Sequence, residues 1–166
     1  MRFAWLTERP LWRAAGRYVL VTLLLNLAGE IVQAPLYTLW WTEPLRAVAL
    51  ALLHCTAGDG LIAGASLLLA IALVGRGWPD RWLSPVTAAT IALAVAYTLF
   101  SEYVNVYVRH SWAYTAAMPL LPVFGVGLAP LAQWIVIPAA SLAWVARRKR
   151  RITEAPSGER GLHVGT

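Results

Sequence analysis

Four long apolar segments constrain the fold of this chain more than any other feature of its sequence. Each is longer than the roughly 20 residues that a helix needs to cross the hydrocarbon core of a bilayer. Of the 166 residues, 59% are hydrophobic and 13% are charged, and this charged fraction is about half that of a soluble domain. We therefore predict an all-α polytopic membrane protein with four transmembrane helices in a bundle, over residues 17–40, 46–74, 85–108 and 120–146.

The Lys and Arg residues are distributed unevenly along the chain, and their positions predict its orientation. Of the 14, only Arg46 and Arg109 lie in the connections after the first and third segments. The others precede the first segment, follow the fourth, or lie between the second and third. Because Lys and Arg accumulate in cytoplasmic loops, both termini are expected in the cytoplasm. The basic run 147–151 is expected to contact anionic lipid, and no nucleic-acid partner is predicted.

The composition of the two ends divides the chain into three parts. Residues 1–16 mix aromatic residues with Arg, which predicts a cytoplasmic or interfacial segment. Residues 17–146 form the transmembrane domain. Residues 147–166 are basic at first and then rich in Gly and polar residues, which predicts a disordered cytoplasmic tail. Cys55 is the only cysteine, so an internal disulfide is excluded.

A stripe of polar side chains interrupts the first apolar segment. Its members follow each other at steps of four, three and four, so they share one face of a helix. They are Asn26, Glu30, Gln33 and Tyr37. A carboxylate at this depth costs ~2.5–3.5 kcal/mol, and intramembrane acids usually belong to functional sites. We therefore predict a binding site at Glu30, and the alternative is a structural role in which the stripe ties helices together.

The third apolar segment repeats this spacing. Its polar residues lie 72 positions after those of the first stripe and are Thr98, Glu102, Asn105 and Arg109. The second and fourth segments correspond more faintly, with Asp59 aligned to Gln133. A duplicated helical hairpin would relate the two halves by an axis along the membrane normal. Glu30 and Glu102 would then face each other in the outer half of the membrane, whereas coincidence in a biased composition is the alternative.

The second segment contributes His54 and Asp59. On a regular helix, five residues place them about 140° apart, so they do not share a face. Asp59 is a candidate ligand or proton carrier, whereas a lone buried His is often a hydrogen-bonded core residue. Carboxylate and imidazole groups suit iron, manganese or zinc, but no metal-binding spacing links these residues with Glu30 and Glu102. No metal site is therefore predicted, and no motif implies a cofactor.

The loop after the third segment carries Arg109, Trp112 and Tyr114. It would either cover the site, with Arg109 holding an anionic head group, or supply aromatic residues to the membrane interface. Together these patterns give eight candidate ligand-binding residues: Asn26, Glu30, Gln33, Asp59, Glu102, Asn105, Arg109 and Gln133. If the protein is an enzyme, its candidate acid–base residues are Glu30, His54, Asp59 and Glu102.

Three strings of the sequence are similar to those of a known group of proteins. They are Glu30-x-x-Gln-x-Pro-Leu-Tyr37, His54-Cys-x-x-Gly-Asp59, and Glu102-x-x-Asn-x-x-x-Arg-x-Ser-Trp-x-Tyr114 running on to Met118-Pro119. Over residues 17–146 the chain resembles small four-span bacterial inner-membrane proteins. The resemblance implies a bacterial inner membrane, and no activity can be attached to it. The Glu followed by Trp-x-Tyr is also similar to polytopic carotenoid cyclases, but that match is too short to transfer a residue role.

Three functions are compatible with these patterns. The first is a binding or transport module with a polar cavity open to the periplasm, in which Glu30, Asp59 and Glu102 handle a small molecule, a cation or protons. The second is an intramembrane enzyme that acts on a lipid or isoprenoid with the same acids and His54. The third is a subunit that packs its polar stripes against another membrane protein. A homo-oligomer is compatible with all three.

Overall fold

The computed structural model describes residues 9–75, 78–79 and 85–154. Within these residues the chain is helical and contains no β-strand, so the predicted all-α fold is confirmed. Four of the helices are long and apolar enough to cross a membrane, as predicted. The helices are α1 (Arg9–Gln33), α2 (Leu39–Thr42), α3 (Leu45–Val74), α4 (Pro85–Tyr103) and α5 (Leu128–Glu154), with a 3₁₀ turn at Ala34–Leu36 after α1 and a π-helical turn at Val104–Val108 after α4.

The four long helices form a bundle in which α1 and α4 occupy opposite corners. Both of them pack against α3 and against α5. Two glycines of α3 face α1: a Cβ at Gly60 would lie 2.9 Å from Leu23 Cδ1, whereas a Cβ at Gly64 would make an ordinary contact of 3.8 Å with Val19. Small residues at such a contact allow membrane helices to approach closely. This arrangement is the one that two hairpins related by a two-fold axis along the bundle would produce.

The bundle has two different ends. We call the end that carries the start of α1 and the end of α5 the terminal end, and the opposite end the distal end. Near the terminal end the core is apolar and includes Tyr18, Leu67 and Trp78, whose two aromatic rings meet edge to face with centroids 6.2 Å apart. The bundle surface carries many exposed large apolar side chains, among them Leu20 and Leu61, as lipid-facing helices require.

The predicted start of the fourth span at residue 120 is wrong, because α5 begins at Leu128. Residues 119–127 instead form a loop, closed by a β-bridge between Leu120 and Gly127. Two features of the sequence stop a helix there. Pro119 and Pro122 have no backbone N–H to donate, and Gly125 adopts a left-handed conformation with φ of 64°.

The first span also differs from its predicted limits of 17–40. The helix α1 already begins at Arg9 and ends at Gln33, since Pro35 cannot donate to the carbonyl one turn earlier. Tyr37 therefore has an extended backbone, with φ of −110° and ψ of 142°, and does not continue the helical stripe. At the other end of the chain, α5 continues through the basic run to Glu154, so the first part of the predicted disordered tail is helical. Residues 155–166 lie outside the described residues.

We expect Gly125→Ala to destabilise the distal loop. A side chain at a φ of 64° is strained, and the new Cβ would lie 2.5 Å from the Tyr107 hydroxyl that donates to the Gly125 carbonyl. The expected loss is about 1–3 kcal/mol, measured as a lower unfolding temperature in detergent. Gly16→Ala is the control, because a Cβ there meets no atom within 4 Å. Equal unfolding temperatures for the two variants would contradict the assigned loop geometry.

Candidate functional site

The distal half of the bundle contains a cavity of about 680 Å³ that is lined by three carboxyl groups. Glu30 comes from α1, Asp59 from α3 and Glu102 from α4. Asp59 and Glu102 are buried, with 7% and 8% of their surface exposed. Three of the four long helices thus direct an acid into one enclosed space, which is the candidate functional site.

The α1 wall of this site is held by two glutamines. Gln133 of α5 donates from Nε2 to Glu30 Oε1 at 3.3 Å. Its own Oε1 accepts a hydrogen bond from Gln33 Nε2, one turn further along α1. Gly29 makes room for this amide, because a Cβ at residue 29 would lie 2.8 Å from Gln133 Cδ. The Glu30 carboxyl group is therefore positioned by a neutral donor.

The Glu102 carboxyl group is held by two phenols from the distal loops. Tyr114 OH donates to Glu102 Oε2 at 2.6 Å and Tyr37 OH donates to the same oxygen at 3.4 Å. The Gly127 backbone N–H donates in turn to the Tyr114 hydroxyl at 3.0 Å. Burial, followed by the neighbouring Glu102 carboxyl, raises the pKa of Tyr37 and of Tyr114 well above the usual value of a phenol. Both phenols therefore keep their protons and act as donors.

The two distal connections pair with each other beside the cavity. Thr38 N donates to the Ala113 carbonyl, and Thr115 N donates to the Leu36 carbonyl, each at 2.9 Å. The indole of Trp112 lines the cavity and meets the Tyr37 ring edge to face. We call residues 34–44 and 109–127 the distal cap. The loop after α4 thus covers the site, which is the first of the two alternatives that its sequence left open.

The predicted site residues fall into three groups. Glu30, Asp59, Glu102, Asn105, Arg109 and Gln133 all line the cavity, together with His54, whose side chain is exposed at the rim. Gln33 is not part of the lining and contributes through its bond to Gln133. Asn26 is fully buried outside the lining, one turn from Glu30 toward the terminal end.

Sequence reasoning did not identify the parts that the distal cap and Cys55 contribute. Tyr114 bridges Glu102 to the cap, and Cys55 lines the cavity beside Asp59 on α3. Tyr114 lies in an irregular loop, so no periodicity could indicate which way its side chain points. The sequence signal for the contact between Tyr114 and Glu102 was their presence in one string of 13 positions.

A column of buried polar residues continues from the cavity toward the terminal end. On α1, the three residues that precede Glu30 at steps of four are fully buried. They are Asn26, Thr22 and Tyr18. Both amide atoms of Asn26 and the hydroxyl of Ser141 on α5 have no hydrogen-bond partner among the described residues. Buried polar groups in native proteins are normally hydrogen-bonded, often to water. We refer to Tyr18, Thr22, Asn26 and Ser141 as the buried column.

The proposed internal repeat agrees with the environment of each position. Several pairs of residues 72 positions apart in α1 and α4 are either both buried or both part of the cavity lining. The same holds for Asp59 of α3 and Gln133 of α5. The matched pairs of α1 and α4 are Tyr18 with Thr90, Asn26 with Thr98, and Glu30 with Glu102. The structure therefore places Glu30 and Glu102 on opposite corners of one cavity, as the repeat predicts.

The acids do not converge as metal ligands do. Within the described residues, no three His, Cys, Asp or Glu side chains lie close enough together to hold a metal ion. Glu30, His54, Asp59 and Glu102 line one cavity.

Comparison with protein families, with curated proteins and with solved structures finds no match. The resemblance to small four-span bacterial proteins therefore stays a prediction, and the function has to be argued from the site.

We expect Gly29→Ala to displace the Gln133 amide from the α1 wall of the site. The new Cβ overlaps the Gln133 amide, so the hydrogen bonds to Glu30 and Gln33 are lost, at an expected cost of about 1–3 kcal/mol in unfolding free energy. A double-mutant cycle with Gln133→Ala checks the cause. Once the amide is removed, the additional effect of Gly29→Ala should vanish. An undiminished effect would mean that Gly29 acts through another neighbour.

Proposed function

We propose that this protein binds a small organic cation in the acid-lined cavity and exchanges it for protons, as a proton-linked transporter does. The observation that carries the proposal is the set of three carboxyl groups, Glu30, Asp59 and Glu102, around one cavity. All the hydrogen bonds described for Glu30 and Glu102 come from neutral amides and phenols. Arg109 also lines the cavity, but among the described residues no ion pair joins it to these acids, so they stay available for an external positive charge.

The exchange follows from the cost of charge in a membrane. An ionised carboxylate inside the hydrocarbon region is expensive unless a positive charge compensates it. Each acid of the site can therefore be neutralised in two ways, by a proton or by a bound cation. A ligand that brings a positive charge would displace protons, and its departure would return them. Because the ligand and the protons compete for the same carboxyl groups, ligand binding is coupled to the proton gradient.

The dimensions of the site favour an organic molecule over a bare ion. A volume of about 680 Å³ falls within the range of roughly 300–1,000 Å³ that is typical of small-molecule sites. The described acids do not gather into a cluster of metal ligands. Aromatic side chains at the cavity, including Trp40, Trp112 and Trp134, suit a cation because their ring faces attract positive charge.

The distribution of Lys and Arg supports a location and an orientation for this activity. Both termini would lie in the cytoplasm and the distal cap in the periplasm of a bacterial inner membrane. Glu30 and Glu102 would then lie in the outer half of the membrane. The buried column would extend from Glu30 toward the cytoplasmic side, where Tyr18 packs on Trp78. Polar residues along this route suit the transfer of protons between the site and the cytoplasm.

Two other functions are less well supported. A subunit that binds its partner through polar stripes would expose them, whereas Asn26, Asp59 and Glu102 are buried inside the bundle. An intramembrane enzyme would use a general acid or base within hydrogen-bond reach of one reacting atom. Among the described residues, no hydrogen bond joins any two of the candidate acid–base residues Glu30, His54, Asp59 and Glu102.

We expect Glu30→Gln and Glu102→Gln to weaken binding of tetraphenylphosphonium by at least tenfold, about 1.4 kcal/mol. The reason is that each change removes a carboxyl group that would compensate the bound charge. Binding is measured in nanodiscs by the quenching of tryptophan fluorescence, and proton release is measured with a pH indicator in weak buffer. The wild-type protein should release protons on binding, and the two variants should release fewer.

Glu43→Gln is the matched control, because Glu43 is an exposed acid at the distal end outside this cavity. It should bind the probe like the wild type. Equal binding by all four proteins, without proton release, would show that the acids are structural and would refute the proposal.

A further inference from the structure

The cavity is elongated along the bundle and extends well beyond its acids. On α3 its lining reaches Leu69, ten residues after Asp59. On α4, which runs in the opposite direction, it reaches Leu93, nine residues before Glu102. At about 1.5 Å per residue, the apolar part continues for roughly 13–15 Å toward the terminal end. The cavity therefore has a polar part beneath the distal cap and a long, narrow apolar part between α3 and α4.

The apolar part opens sideways at the surface of the bundle that faces lipid. Among the residues that line it, Leu61 is 76% exposed, Tyr97 51% and Leu69 47%. Exposed side chains between two spans of a membrane protein contact the acyl chains of the bilayer. The acids can thus be reached from the hydrocarbon region.

The α3 surface of this cleft is shaped by mostly small residues. They follow each other at steps of four and three, which keeps them on one face of the helix. The set is Ala51, Cys55, Gly58, Ile62, Ala65 and Leu69. Small side chains leave a shallow trough along α3, and the buried Asp59 lies near the middle of its length.

We infer that the ligand of the acidic site is a membrane-dissolved amphiphile with a cationic head group, whose alkyl chain lies in the cleft between α3 and α4. The inference rests on the proposed function and specifies its ligand. Charge complementarity assigns the head group to Glu30, Asp59 and Glu102, and the apolar trough accommodates a single chain. The ligand enters sideways from the bilayer, so it need not cross an aqueous phase.

A series of ligands of one head group tests this arrangement. Binding of tetramethylammonium is compared with that of octyl- and decyltrimethylammonium in nanodiscs, with concentrations corrected for partition into lipid. We expect affinity, expressed against the free aqueous ligand concentration, to rise with chain length by up to about fourfold per buried methylene. Ala65→Trp fills the trough and should abolish this rise with chain length. Ala57→Trp is the matched control, because Ala57 is an exposed residue of the same helix outside the cleft.

The wild-type protein offers a second measurement that needs no substitution. Cys55 is the only cysteine of the chain and lines the cavity one turn from Asp59 on the distal side, where the head group would lie. N-decylmaleimide dissolved in the bilayer should modify it faster than a membrane-impermeant sulfonated maleimide. Decyltrimethylammonium should slow that modification, as followed by intact mass.

Each remaining outcome overturns a different statement. If affinity is independent of chain length but still depends on Glu30 and Glu102, the acidic site stands and the cleft inference fails. If neutral decanol binds as tightly as decyltrimethylammonium and Glu30→Gln has no effect, the proposed cation site itself fails. If both maleimides leave Cys55 unmodified and native mass shows a dimer, a second copy of the chain occupies the cleft and the inference is overturned.

Discussion

The structure depends on one constraint, which is that hydrocarbon offers no hydrogen bonds to the polar groups of the chain. Acids and amides in the spans are therefore favoured inside the bundle, where other side chains can supply hydrogen bonds. Asp59 and Glu102 are buried, whereas neighbouring Leu61 on α3 is mostly exposed. The usual arrangement of a soluble bundle is inverted here, and the interior of the distal half becomes the one place where polar chemistry can occur.

The partners of these acids come from outside the helices that carry them. Glu30 on α1 is bonded by Gln133 from α5, and Glu102 on α4 is bonded by Tyr37 and Tyr114 from the distal cap. Neutral donors of this kind fix the position of a carboxyl group without supplying a compensating charge. A lysine or arginine in place of these donors would form a salt bridge with the carboxylate, which would then need no charged ligand to compensate it.

The approximate repeat explains why the cavity has one closed side and one open side. The α1–α5 and α3–α4 interfaces are equivalent if the two hairpins are related by a two-fold axis. Gln133 closes the first interface through its bonds to α1. At the matching position of α3 the residue is Asp59, one of whose carboxyl oxygens has no hydrogen-bond partner among the described residues. The two interfaces therefore differ at this pair of positions, because Gln133 bonds across the α1–α5 interface whereas Asp59 leaves one oxygen unpaired among the described residues, beside the cleft between α3 and α4.

The boundaries that sequence reasoning placed incorrectly are those set by single residues. Hydropathy averages over about 20 residues, so it identified each span but could not locate the breaks at Pro35 and at Pro119–Gly127. The break at Pro35 moved Tyr37 off the helix, yet its hydroxyl still reaches Glu102, because the extended backbone directs it across the cavity. Tyr37 thus bonds Glu102 from an extended backbone and not from the helix that the periodicity predicted.

Local patterns in the sequence determined the four spans and the inward polar faces, because apolar length and helical period are properties of a single segment. They were sufficient to select Glu30, Asp59 and Glu102. Only the tertiary structure decided that Gln133 bonds Glu30, that Asn26 lies outside the cavity and that a cleft opens between α3 and α4. Those outcomes depend on distances between helices and on the path of the distal cap, which residues far apart in the chain set together.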